Sequence, residues 1–427
     1  MPSTCTAPTR PTFHVHTPLP SVVWKNDWAK AEVDDALRSH ELGHFMSAAM
    51  LADAMTRDDT FDAVLGTRVL GLLGLPRRVD PSNEADPRRS KKVARAIDAQ
   101  FDRIFPRSTL AELLRCGVLL GFALAQIIWH SNDDGTEWTP ELQVWHPSFV
   151  YYRQDLRAFF AITTDGPVRI EPGNGQWLLY TPFGTDRGWM SGAIRSVSIP
   201  WLARAYAWRD WQRWSELYSM GVRKAIAPAS ADAEDKERFF SQVAALGSET
   251  TVLLTQALSG EKFDLDVLWP NSAGSADGFE RLMNKCESRM AIRLLGQNLT
   301  TEVTSGSLAA ARVHENVKMD IIAFDGRTLS EDLRAQVLVP YCRFNVPGGG
   351  ALAPLLGWKT TPTEDRKNEA DTALAAAQAL AALVQAGVPL DVRAYAQRFG
   401  LPLVAPTEPD PGASAGAPPR SPFPRAA

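Results

Sequence analysis

The chain has few cysteines, no basic surplus and no long apolar run, and each shortage narrows what it can be. Its 427 residues hold four cysteines, Cys5, Cys116, Cys286 and Cys342. They lie far apart and form no C-x-x-C pair, which argues against a disulfide framework and fits a reducing compartment. Lys and Arg number 45 against 49 Asp and Glu, a net charge of -4. No phosphate-gripping excess is advertised, so any DNA contact is expected to be local or weak. The longest apolar run, Cys116 to Trp129, is interrupted by Gln126 and falls short of the roughly 20 residues that span a bilayer. The N-terminus shows no basic segment followed by an apolar run and a cleavage site. A soluble protein with no membrane partner is expected. There is no G-x-x-x-x-G-K-[ST] loop, and Gly66, Gly71 and Gly74 make no phosphate-cradling fingerprint.

What is present is ordinary globular composition, 22% charged and 45% apolar, in a chain long enough for two or three structural units. Met1 to about Val22 reads as an extended arm. Apolar spacing predicts helices over Leu42–Met55, Phe61–Leu70, Lys92–Phe105 and Leu110–Leu120. From Ala123 to Tyr180, β-branched and aromatic residues are punctuated by Asp133-Asp134-Gly135, Asp165-Gly166-Pro167 and Pro172-Gly173-Asn174-Gly175. That pattern predicts antiparallel hairpins.

Pro200 to Val222 reads as one helix of roughly 34 Å. Trp201, Trp208, Trp211, Trp214 and Tyr218 belong to an apolar arc of roughly 220°, wider than a surface helix needs. The helix is expected to pack on more than one neighbour. Its interleaved arginines could suggest a stacking platform for single-stranded nucleic acid, but most fall on a different arc from the tryptophans, which favours packing. A strand at Arg223–Ala227, a helix at Ala233–Leu246 and strands at Thr250–Leu254 and Phe263–Trp269 follow. A second long helix carries the stripe Phe279, Leu282, Met283, Cys286, Met290 and Leu294, with Gly296 at its stop. Gln297 to Ser307 has little to bury and reads as a mobile loop. The next helix carries Ala310, Val313, Val317, Ile321 and Phe324, continued by Leu329, Leu333, Val337 and Tyr341. Asp365–Ala386 and Leu390–Phe399 are also helical. From Pro402 onward eight of 26 residues are proline, which predicts disorder.

The sharpest catalytic-looking motif is His40-Glu41-Leu42-Gly43-His44. On a continuous helix the two histidines share a face that can bind Zn²⁺, with the glutamate as general base. Phe45 to Met50 supplies no further histidine, so a third ligand would have to come from elsewhere, such as Asp53, Asp58 or Asp59. The motif also precedes the first α/β block, where no pocket is expected. A zinc metalloprotease is kept as the alternative function, and a solvated or packed histidine pair is the favoured reading. His14, His16, His130, His146 and His314 make no ligand-spaced cluster. No catalytic residue, metal site or cofactor is assigned.

Leu295-Gly296-Gln297-Asn298-Leu299-Thr300-Thr301, then Gly306-Ser307 and a helix with Ala310, Val313, His314, Val317 and Asp320, resembles the portal proteins of tailed bacteriophages, in particular the phage Mu-like group. Asp62-Ala63-Val64-Leu65 with Thr67-Arg68, Gln385-Ala386-Gly387-Val388-Pro389, and Phe399-Gly400-Leu401-Pro402 support it. The resemblance covers about Asp59 to Pro402 and implies an α+β portal fold: wing (59–195), first stem helix (196–222), clip (223–275), second stem helix (276–296), tunnel loop (297–307), long tunnel and wing helix (308–350) and helical crown (351–401), flanked by an N-terminal arm (1–58) outside the family pattern and the disordered tail (402–427). It implies a ring of about twelve subunits at one capsid vertex of the virion, assembled in the host cytoplasm. Double-stranded DNA would be packaged and ejected through it. The terminase large subunit, the head-tail adaptor and the major capsid protein would be its partners. The loop residues Asn298, Thr300, Thr301, Glu302, Thr304 and Ser305 would face the DNA, and Trp201, Trp208, Trp211, Trp214 and Tyr218 would pack between subunits.

Overall fold

The computed structural model describes residues 11, 13–19, 25, 27–218, 222–228, 230–244, 263–268, 273–297, 308–360, 365–387 and 391–399. The expected strand Thr250–Leu254, the loop at 298–307 and the tail beyond Pro402 lie outside them. The chain divides into two compact units, Met1–Thr360 and Thr361–Ala427.

In the first unit the order is α1 (Lys30–Glu41), α2 (Met46–Met55), α3 (Asp59–Leu73), β1 (Arg77–Asp80), α4 (Pro87–Ile104) and α5 (Arg107–Leu120). Then come β2 (Ala123–Ser131), β3 (Trp138–Trp145), β4 (Val150–Arg153), β5 (Ala158–Thr163), β6 (Gly166–Arg169) and β7 (Trp177–Tyr180). The rest is α6 (Ile194–Tyr218), β8 (Val222–Ile226), α7 (Ala233–Ala244), β9 (Asp264–Leu268), α8 (Ala273–Leu295), α9 (Leu308–Leu333), α10 (Val339–Asn345) and β10 (Leu355–Trp358). The second unit contains α11 (Asp365–Gln385) and α12 (Val392–Arg398).

Every described strand pair is antiparallel: β3-β2-β7, β4-β5-β6, β8-β9, and β1 with the distant β10. Helices and antiparallel sheets make an α+β fold. Phe45, Phe122, Phe159 and Trp189 interlock at its centre, with ring centroids 4.3 Å apart for Phe45–Phe122 and 5.7 Å for Phe159–Trp189.

The N-terminal region departs from the expected arm. Lys30–Met55 forms two helices that bury Val33, Ala36, Leu51 and Met55 in the main core. α1 was missed because its surface is highly charged and Val33 and Leu37 are its only large apolar residues; tertiary contact supplies what propensity does not. α6 begins at Ile194 rather than Pro200, with Pro200 inside the helix. Ile194 and Val197 are fully buried, and that packing carries the helix through a proline that cannot donate to the preceding turn. In α9 the expected stripe is rotated. In its first half Val317 and Phe324 are exposed and Ile322 faces the core instead, whereas the expected continuation through Leu329 and Leu333 is buried.

Two polar devices fix this arrangement. Arg68 on α3 grips Asp325 on α9 with both ends of its guanidinium, at 2.6 and 2.8 Å, and donates to the Leu294 carbonyl at the end of α8 at 3.1 Å. Both charged side chains are almost fully buried. The second device sits at the edge strand β7, where Arg334–Leu338 winds as a π-helical turn. Gln336 in this turn accepts from the Leu179 amide at 2.7 Å and donates to the Leu179 carbonyl at 2.9 Å. Its amide thereby stands in for a neighbouring strand.

Removing Arg68 strands a buried carboxylate. Arg68→Ala is expected to cost roughly 3–5 kcal/mol of unfolding free energy, whereas Arg68→Met with Asp325→Leu should cost less than either single change. Denaturant unfolding measures both, and a double variant no better than the singles would refute the account.

Asp332 accepts from the Thr181 amide at 3.2 Å and from Gln336 at 2.8 Å, yet burial pushes its carboxyl from 3.8 up to about 6. The folded value lies above the unfolded one, so this group's contribution to stability is greatest below about pH 4 and is lost as pH rises to about 6, on the order of 3 kcal/mol in all. Asp332→Asn lacks this titration. Between pH 4 and pH 7 the stability difference should therefore move in favour of the variant, and parallel pH profiles would show the carboxyl to be unperturbed.

Candidate functional site

α6 and α8 run antiparallel, as their cross-links show. Ser196 meets Arg293 at 3.0 Å and Arg204 meets Glu287 at 2.7 Å, so rising numbers on one helix face falling numbers on the other. Arg204 is the main anchor. It also reaches Asp58 at 2.6 Å and Thr60 at 2.8 Å. Asp58 accepts from the Phe61 amide at 2.9 Å and so caps α3. Arg293 adds a bond to the Ser191 carbonyl at 2.7 Å. Below Arg204 the pair packs on α1, α2 and α3.

Above Arg204 the aromatic content changes its role. Trp201, expected between subunits, is 7% exposed and belongs to the chain's own core, because α6 starts earlier and carries it below the anchor. Trp208 is 51% exposed and stands edge-on to the half-buried Trp211 at 5.8 Å. Trp214 is half-buried, and the side chain of Tyr218 lies outside the described set. On α8, Leu282 is 47% exposed. At the far end β8 pairs with β9, and Phe239 of α7 meets Phe263 at 5.0 Å.

The loop residues Asn298, Thr300, Thr301, Glu302, Thr304 and Ser305 lie outside the described residues, but one of their anchors is defined. Gly296 closes α8 at φ +75°, and a side chain there would meet Val317 at 2.7 Å. Only glycine satisfies both the left-handed backbone and that close approach.

The His40–His44 motif does not lie on one helical face. α1 ends at Glu41 and the chain turns at Gly43, φ +90°. His40 is fully buried, and its Nε2 donates to the Leu120 carbonyl at 3.0 Å, since a carbonyl only accepts. Burial lowers its pKa to about 4, leaving a neutral ring. Glu41 pairs with Arg195. His44 is exposed and bridges Tyr151 through its backbone. The i, i+4 geometry that a zinc hydrolase requires is therefore absent here. His40 instead fastens α1 to the end of α5 while its carbonyl accepts from Trp189 Nε1 at 2.9 Å.

His146 links Ser148, 2.6 Å away, to Asp53, 3.0 Å away, but its ring also accepts from the Ser148 amide and caps a short turn. Ser148 is itself buried. Burial pushes the thiols of Cys116 and Cys342 up to about 12, which keeps them protonated. His14 and His16 depart from the expectation of no cluster, because the fold brings Asp165 beside them. A separation of 151 residues hid the His14–Asp165 pair from any spacing rule. Arg204 was missed as an anchor for the same reason: its carboxylate partners come from α8 and from the cap of α3. Among the described residues no helix is long and apolar enough to cross a membrane.

The portal protein of Escherichia phage Mu is 22% identical over 322 residues, covering 72% of this chain and 59% of that protein. The Mu-like prophage FluMu protein gp29 of Haemophilus influenzae is 21% identical over the same length and the same shares. The chain thus spans 59% of the length of the curated relatives it matches. A solved chain from the virion of the native gene transfer agent particle shares the fold at a TM-score of 0.51 and 11% identity, over 89% of this chain and 96% of that one. Residues 49–401 match the family described as the portal protein of Mu bacteriophage, and the chain belongs to that family.

Proposed function

We propose that this chain is one sector of a closed ring at a single capsid vertex, through which double-stranded DNA is packaged and later ejected. The observation that carries the reading is the α6–α8 pair. It is anchored to the rest of the subunit through Arg204 and still leaves Ile199, Trp208, Leu282 and Ile292 exposed along its length, as helices meant to be flanked by identical neighbours would. Membership of the portal family over residues 49–401 supports it.

In this reading α6 and α8 are the stem, β8, α7 and β9 the clip, 297–307 the tunnel loop and α11 with α12 the crown. The clip would meet the terminase large subunit and later the head-tail adaptor, and the outer surface would meet the major capsid protein. Assembly would take place in the host cytoplasm. The role is structural rather than enzymatic. A conduit benefits from weak contact, because every neutralised phosphate adds affinity that would resist sliding. Twelve copies at -4 each carry -48, and the only formal charge in 298–307 is Glu302.

Light scattering and end-on electron micrographs of the full chain test the ring. Twelve copies of 46.9 kDa give about 563 kDa with a central opening; a monomer under all assembly conditions would overturn the proposal. Trp208→Ala should weaken assembly by about 2–3 kcal/mol per interface with little change in subunit melting. Trp201→Ala should do the reverse, costing the subunit about 3–5 kcal/mol. Equal effects of the two on assembly would argue against this surface. Deleting 300–305 should leave rings intact while lowering the yield of full-length packaged DNA, and a normal yield would show that the loop does not serve the DNA.

A further inference from the structure

We propose that His14, His16 and Asp165 form a divalent transition-metal site that clips the N-terminal segment onto the β5–β6 hairpin. One donor atom from each residue lies within 4.8 Å of the other two. His14 Nε2 and Asp165 Oδ2 are 3.3 Å apart, close to the roughly 3.3–3.4 Å edge of a tetrahedron with zinc–ligand bonds of about 2.0–2.1 Å. The rings of His14 and His16 are centred 4.8 Å apart.

The three donors differ in mobility in a useful way. His16 stacks flat on the buried Trp177, at 5.8 Å and 10°, and is the fixed member. Its Nδ1 is buried with no hydrogen-bond partner among the described residues. His14 and Asp165 are 68% and 64% exposed, so rotamer changes can close the remaining distance. An exposed His–Asp ion pair alone would account for two of the residues; it gives no reason for a third donor beside them.

The backbone under the site is held from two sides. The His14 carbonyl accepts from Gln126 at 3.2 Å and Gln176 at 3.1 Å, while the Thr164 amide donates to the Thr17 carbonyl at 3.0 Å beside the Pro18–Thr163 bridge. Two imidazoles and one carboxylate favour a borderline ion such as Zn²⁺ over Mg²⁺ or Ca²⁺. Water would fill the remaining position. The bound ion would join residues 151 apart in sequence and favour the folded state by mass action.

The test is titration of the metal-stripped full-length chain with ZnCl₂, followed by calorimetry and thermal melting. The expected result is about one Zn²⁺ per chain, a raised Tm and no competition from excess MgCl₂. His16→Ala and Asp165→Asn should each weaken binding by roughly tenfold or more, whereas His130→Ala, at a separate exposed histidine, should titrate as wild type. Asp165→Asn should melt like the wild type when metal is absent, which separates loss of the site from loss of the fold. Co²⁺ should give visible d–d absorption that both site variants lose. Absence of saturable binding, or unchanged affinity in both site variants, would overturn the proposal.

Discussion

The contact on which most else depends is the buried guanidinium of Arg68. Its carboxylate partner is 257 residues away and its carbonyl partner 226 residues away, so one side chain determines where α3, the end of α8 and α9 meet. Two charges withdrawn from water cost several kcal/mol each, and mutual attraction restores that only with good geometry. Paired ends at 2.6 and 2.8 Å supply it. With the end of α8 pinned by Arg68 and Gly296 turning the chain, the start of the segment that follows is fixed.

A similar logic protects the sheet. β7 is an edge strand whose four residues are all buried, so unpaired amides there would be costly. The π-helical turn places Gln336 so that one side-chain amide satisfies both the N–H and the carbonyl of Leu179. Asp332 supports the same turn and carries the penalty of burial. The local winding and the polar pair belong together: the turn aims the glutamine, and the glutamine closes the sheet.

Helices with strong periodicity were legible in the sequence, as α5 and α8 illustrate, because their stripes depend only on residues three and four apart. The turn chemistry at Asp133-Asp134-Gly135 marked the β2–β3 hairpin for the same local reason. The misplacements all have non-local causes. Pro200 looked like a start signal until Ile194 and Val197 were seen to be buried. α1 is too polar on its own to announce itself. β1 pairs with β10 across more than 270 residues, and no short window contains that information. At the candidate site, the aromatic helix was visible but its division at Arg204 was not. The His40 motif looked like metal chemistry because its spacing is right for a helix that ends at Glu41.

The anchoring of α6 has a mechanical corollary. Fourteen residues separate Arg204 from Tyr218, about 21 Å of helix, so a tilt of about 5° at the ion cluster moves the tip by about 2 Å. The position of β8 and β9 is thus governed by leverage, with Asp58, Thr60 and Glu287 as the fulcrum. A docking protein that pushed on the tip would load that fulcrum, and through Asp58 it would load the first turn of α3, the helix that carries Arg68.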